Sequence, residues 1–188
     1  MKANLNYFTL FILMSYFYNS NADEMVFGEE TISPGLKVIF EAAPKDTIFP
    51  SEYYLTESDT DIHIEMLINW SDESPAGSPV GGFIPYLDVT ATIVAKNGNL
   101  EIAKLTPHIN IIDNFHYAQN IKLPGAIDEI YKVMIIIDPP SDGELGIHYD
   151  WKEKYGSLID QKVFTYTNLS FEEIALKRIR YNYVCFLK

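Results

Sequence analysis

Four histidines (His63, His108, His116 and His148) and the nearby Glu65 carry the chemistry that this 188-residue sequence could perform. His63 and Glu65 are two residues apart in an alternating run, so a strand would turn both to the same polar face. His108 follows Pro107, and His116 comes eight residues later, after Asn110 and Asp113. His148 lies beyond the Pro139-Pro140 turn, with Asp150 two residues on. Imidazole nitrogen suits copper, zinc, iron and nickel, whereas carboxylate oxygen favours harder ions. Such a set is either one site for a borderline divalent ion or a scatter of exposed and hydrogen-bonded side chains. Spacing alone leaves both open. The single cysteine, Cys185, excludes an intrachain disulfide, a CxxC redox pair and any cysteine-based zinc site.

The elements that would position these residues read as strands. In residues 61–70, Ile62, Ile64, Met66, Ile68 and Trp70 alternate with Asp61, His63, Glu65 and Asn69, and only Leu67 interrupts the polar side. A second alternation, with Val89, Ala91 and Ile93 against Asp88, Thr90 and Thr92, runs into Asn97-Gly98 and resumes at residues 100–103, which predicts a hairpin. Residues 36–41, 117–123, 130–137 and 162–167 are further strand candidates, separated by dense proline and glycine punctuation. Seven or so short strands predict an all-β fold, an immunoglobulin-like antiparallel β-sandwich over residues 23–168. Residues 169–188 form a C-terminal tail in which Ser170 and Glu173 make a capping box for a short helix. Met66, Met134, Trp70 and Tyr86 read as packing residues, Asp113 as a solvated loop carboxylate or a second, harder site, and Cys185 as an inert apolar residue.

Residues 1–22 read as a signal peptide: Lys2, an apolar stretch beginning at Tyr7, and the small-residue exit Ser20-Asn21-Ala22. No cysteine stands near that exit, so the expectation is a periplasmic protein in a Gram-negative cell and not a lipoprotein. The chain has 14 Lys and Arg against 26 Asp and Glu, a formal charge of −12. That balance disfavours nucleic acid and anionic membranes as partners and favours cations.

The sequence resembles the periplasmic iron(II) transport proteins, small secreted β-sandwich metal binders that assist ferrous uptake. The resemblance covers roughly residues 35–167 and is carried by Asp61-Ile62-His63-Ile64-Glu65, Gly82-Phe83-Ile84-Pro85-Tyr86-Leu87, Leu105-Thr106-Pro107-His108, His116-Tyr117-Ala118-Gln119-Asn120-Ile121 and Gly146-Ile147-His148. It implies a copper or iron site made by His63, His108, His116 and His148, with Glu65 beside them. It also implies a homodimer with the metal near the subunit contact, and an inner-membrane iron permease as partner. His108 stands where that family has methionine, which shifts preference from Cu(I) toward Cu²⁺, Zn²⁺ or Fe²⁺. The segment from His108 to His116 is one residue longer than the family's, Ala118 replaces a usual glycine, and Ile147 replaces a frequent arginine.

Three functions follow as expectations: a metal-binding, non-enzymatic component of iron uptake; a copper-dependent ferrous oxidase on the same ligands; and a metal-free envelope sandwich. The sequence has no His-Glu-x-x-His helix, Gly-x-Ser-x-Gly elbow or phosphate loop to favour another enzyme class. For imidazole ligands of ordinary basicity, metal affinity is expected to fall as the pH drops through about 6.5.

Overall fold

Eight antiparallel strands carry the fold: β1 (Met25–Ile32), β2 (Leu36–Ala43), β3 (Ile62–Trp70), β4 (Asp88–Val94), β5 (Leu100–Ile109), β6 (Phe115–Ile121), β7 (Ile130–Asp138) and β8 (Lys162–Ser170). The structure, a computed structural model, describes residues 24–75 and 77–177. The signal peptide expected at residues 1–22 and Cys185 lie outside the described residues.

The strands form one sheet in the order β1-β2-β3-β6-β5-β4-β7-β8. The sheet folds over at β5, whose first part pairs with β4 from Leu100 to Leu105 and whose second part pairs with β6 from Thr106 to Ile109. Two layers therefore face each other across one core and share a strand. Alternation supplies that core: Leu36, Val38 and Phe40 from β2, Ile64, Met66 and Ile68 from β3, Val89 and Ile93 from β4, and Val133 and Ile135 from β7 are all buried. This is the all-β, antiparallel two-layer architecture that the strand pattern predicts.

The far edges, β1 and β8, nearly close the sheet. The Tyr166 hydroxyl donates to Glu30 Oε1 at 2.9 Å, and its ring packs edge-on against Phe27 at 5.4 Å. Gly28 is required there, because any Cβ would run into the Tyr166 ring. At the β4–β5 hairpin, Gly98 N donates to Ala95 O at 3.0 Å and Gly98 takes φ +88°, a left-handed conformation that glycine adopts without steric cost. The Asn97-Gly98 signal thus marks the turn that it predicts.

Other expectations change. β1 and a helix α1 (Tyr149–Tyr155) carry no clear periodic signal in sequence, whereas the short C-terminal helix appears as α2 (Glu172–Leu176). The capping box is not made: Ser170 ends β8, the N-cap position belongs to Phe171 without a side-chain bond, and Glu173 instead pairs with Lys177 at 2.8 Å. Phe171, Ile174 and Ala175 are buried in the main core, so the described part of the tail is packed onto the sandwich. Met66 is core as expected, but Met134 alternates with buried Val133 and Ile135 and lies half-buried on the outer side. Tyr86 is an exposed loop residue with φ +66°, not a strand residue. Trp70 ends β3 and meets Trp151 of α1 with ring centroids 6.0 Å apart.

Candidate metal centre

On the side of β3 away from the core, the ladder sets polar residues in rows. Glu65 pairs across to Glu41 of β2 and to Ala118 of β6, His63 pairs with Asn120 of β6, and His116 pairs with His108 of β5. Ala118 stands between Asn120 and His116 on its own strand and opposite Glu65 and Thr106, so the middle of the group carries only a methyl.

Alternation would ordinarily put this face in water. Instead His63 is 5% exposed, Glu65 4% and His116 2%. The cover over His63 is held by Asn120, whose amide nitrogen donates to the carbonyls of Asp46 and Leu55, each at 2.9 Å. Those carbonyls belong to the long connection between β2 and β3, which contains only two single 3₁₀ turns, Ser51–Tyr53 and Glu57–Asp59. From the same connection, Tyr54 meets His108 edge-on with ring centroids 5.1 Å apart.

With both its N–H groups spent on carbonyls, Asn120 turns its Oδ1 toward His63 and accepts a hydrogen bond from Nδ1 at 2.9 Å. That leaves His63 Nε2 with its lone pair free, 3.5 Å from Glu65 Oε1. A second-sphere acceptor of this kind fixes the tautomer and aim of a metal-binding imidazole. His116 is set the same way, its Nδ1 donating to Asn114 O at 3.1 Å. His108 Nε2 shares a hydrogen bond with Thr106 Oγ1 at 3.2 Å. One nitrogen from each of His63, His108 and His116 lies within 4.8 Å of the others.

Burial shapes the protonation of all three. It lowers His63 to about 3, helped by the His108 and His116 charges and opposed by the Asn120 bond, and it lowers His108 to about 4, helped by His116. It also lowers His116, against the Asn114 carbonyl and Asp113, which favour the cation. The three imidazoles are therefore neutral at pH 7, the state that binds metal, and the protonation expected near pH 6.5 moves to lower pH for His63 and His108. Glu65 moves the other way: burial first, then the charges of Glu24, Asp113, Glu41 and Asp46, push it up to about 9. A cation in the pocket would relieve that cost. Three neutral imidazoles with an adjoining carboxylate fit a copper or iron ion by donor type.

The residues of this pocket lie inside the span, 21–173, that matches the sequence profile of the family described as Fe2+ transport protein. The chain belongs to the Fe2+ transport protein family. A UPF0423 protein of Brucella abortus is 26% identical over 137 residues, which cover 71% of this chain and 74% of that protein. The 34 kDa membrane antigen of Treponema pallidum is 33% identical over 97 residues, covering 50% of this chain and 47% of the antigen. Among solved structures, the fold is similar to a copper-bound variant of FetP from uropathogenic Escherichia coli, with TM-score 0.64 and 24% identity, covering 77% of this chain and 95% of that one. It is also similar to a copper-bound variant of Campylobacter jejuni P19, with TM-score 0.63 and 22% identity, covering 77% and 96%.

Of the residues that the sequence of this family member nominates, the structure brings together His63, His108, His116 and Glu65. His148 is exposed and occupies the N-cap position of α1, outside the histidine group of its own chain. Asp113 is a half-buried loop residue, its carboxylate accepting from Asn110 Nδ2 at 2.7 Å, and its charge acts on Glu65. Sequence reading missed the role of Asn120, whose signal was its place in the His116 segment. It also missed Glu41, the only carboxylate in an otherwise apolar strand end. No helix among the described residues is long and apolar enough to cross a membrane.

Proposed function

We propose that this protein is a periplasmic metal-binding component of ferrous iron uptake that holds a copper or iron ion through His63, His108 and His116, with Glu65 supplying charge compensation or a fourth donor. The observation that carries the reading is the convergence of three neutral imidazoles, His63 and His116 buried and aimed by fixed hydrogen-bond acceptors and His108 half-buried beside them. The membership in the Fe2+ transport protein family and the copper in the FetP and P19 structures support it.

His148 joins the site from a second copy of the chain. Its exposure leaves it available, and the β5–β6 connection beside the pocket, with the strand ends that flank it, carries exposed apolar residues, Ile109, Ile111, Ile112 and Phe115, of the kind that a subunit contact covers. In such a homodimer each ion would receive three histidines from one chain and one from the other, and an inner-membrane permease would take the iron onward.

Calorimetric titration of the wild type and of His63→Ala with Cu²⁺, and anaerobically with Fe²⁺, tests the reading. Loss of tight binding in the variant is the expected result, and equal affinity in the two proteins would refute the site. Analytical ultracentrifugation with and without copper tests the dimer.

A further inference from the structure

Residues 44–59, between β2 and β3, cover a buried site without being buried themselves. None of them is more than partly buried, and Phe49 and Tyr53 stand 79% and 74% exposed. Their own side chains, among them Lys45, Thr47, Tyr54 and Leu55, line a cavity of about 610 Å³. Tyr53 N donates to Pro50 O at 3.2 Å, Asp59 N to Thr56 O at 3.0 Å and Thr60 Oγ1 to Thr56 O at 2.7 Å, so these bonds tie the connection to itself. A segment with few buried apolar contacts opens far more cheaply than the whole fold.

Its fastening to the sheet runs through the buried amide of Asn120, which has partners on two sides: Asp46 O and Leu55 O of the connection, and Nδ1 of His63, each at 2.9 Å. The two sides are not independent. While both N–H groups point at the carbonyls, only the oxygen can face His63, so the imidazole proton sits on Nδ1 and the Nε2 lone pair is open. Once the carbonyls leave, the amide can turn over and offer an N–H to Nδ1 instead. One proton then leaves Nδ1 for water and another joins Nε2, with no change in net charge. That tautomer has no lone pair for an ion at Nε2. The same connection also backs a second ligand, since Tyr54 packs edge-on against His108.

We propose that residues 44–60 form a lid whose seating sets the tautomer of His63 through Asn120, so that closing the lid makes the histidine site competent for metal and lifting it releases the ion. Asn120 is thereby a positioning residue that reports the state of the lid to a ligand. This rests on the histidine reading above and adds to it the route by which the ion leaves. By linkage, bound metal must hold the lid down as strongly as the closed lid holds the metal. Unloading then needs only a pull on the lid, at a distance from the ligands.

Two measurements on the mature protein test it. Long-range proton–nitrogen NMR reads the His63 tautomer in the metal-free chain, and amide hydrogen exchange reads the lid with and without Cu²⁺. The wild type should carry its His63 proton on Nδ1, and bound Cu²⁺ should slow exchange across residues 47–57 by about tenfold, within the range usual for coupled sites. Thr56→Gly loosens the stretch that carries the Leu55 carbonyl and touches no histidine. It should speed lid exchange by about 2–5-fold, shift His63 toward the Nε2-protonated tautomer and weaken Cu²⁺ binding by a similar factor. Asn120→Asp keeps an acceptor for His63 Nδ1 but cannot donate to both carbonyls, so the lid should exchange faster while the tautomer stays. A loosened lid in Thr56→Gly with the wild-type tautomer and copper affinity would overturn the proposal, as would lid exchange that bound Cu²⁺ or Asn120→Asp leaves unchanged. Lack of copper uptake by a wild type whose tautomer still follows the lid would instead refute the histidine reading and leave the link between lid and tautomer standing.

Discussion

The two layers of this sheet have outer faces built on the same alternation and used in opposite ways. On β4, Thr90 and Thr92 point away from the core between buried Val89, Ala91 and Ile93, and they remain partly open, beside exposed Ile102 and Lys104 of β5. On β3, His63 and Glu65 occupy the equivalent outward positions and are almost wholly buried. Strand periodicity is alike in both. The difference is the covering connection between β2 and β3, fastened over the second face by Asn120. Outward from a core is thus not the same as outward to water, and a polar residue that is outward yet buried marks the working side of this fold.

The contrast breaks most sharply with substitutions at matched positions. His116→Ala should weaken Cu²⁺ binding by at least about 100-fold, beyond the 10–100-fold typical of losing an outer-sphere partner. Thr92→Ala, on the open face, should leave it unchanged in the same calorimetric titration. Next in size is Asn120→Ala, which frees the His63 tautomer and orphans two carbonyls. We expect about 10–100-fold weaker copper binding and a loss of about 1–3 kcal/mol in urea-unfolding stability.

A smaller effect separates the two faces by pH in the metal-free protein. His63 is lowered from 6.5 to about 3 in the fold, so its contribution to stability is complete above pH 6.5 and is lost as the pH falls toward 3. Glu65 is raised from 4.5 to about 9, so its contribution is complete below pH 4.5 and is lost as the pH rises through 9, with Glu24, raised to about 7, acting in the same sense. The melting temperature of the metal-free protein should therefore peak between those limits on a mildly acidic plateau. Glu65→Gln should flatten the alkaline arm and leave the acid arm in place; an unchanged alkaline arm would contradict the assignment. The smallest change is expected for Thr92→Val, within about 0.5 kcal/mol at any of these pH values, as for ordinary surface substitutions.

Much of the framework was legible because it rests on local pattern. The alternation in β3 and β4, the Asn97-Gly98 turn and the apolar run of β7 each report a half-buried or buried strand directly. β1 was not legible, because Gly28 and the Glu29-Glu30 pair interrupt its pattern, and its place is secured by Tyr166, far along the chain. α1 lay in a stretch dense with turn signals, and it meets the sheet through the packing of Trp151 on Trp70. At the site, residue types nominated His63, Glu65, His108 and His116, but nothing local announces that His63 and Glu65 are covered. That fact depends on an amide in β6 reaching two carbonyls of a loop more than sixty residues away in sequence. The shift in imidazole protonation away from pH 6.5 has the same origin, since it follows from burial.

The shared strand β5 has a consequence for local unfolding. Because the sheet turns over at β5 and closes only where β1 meets β8, the molecule has a spine and a fore-edge, like a bound book. His63, His108 and His116 sit toward the spine, on β3, β5 and β6, whereas Glu24 stands at the fore-edge, before β1. Edge strands exchange their amide hydrogens through openings cheaper than global unfolding. An opening that peels β1 from the sheet would carry off Glu24, and with it one of the carboxylates that raise Glu65, while the three imidazoles keep their places.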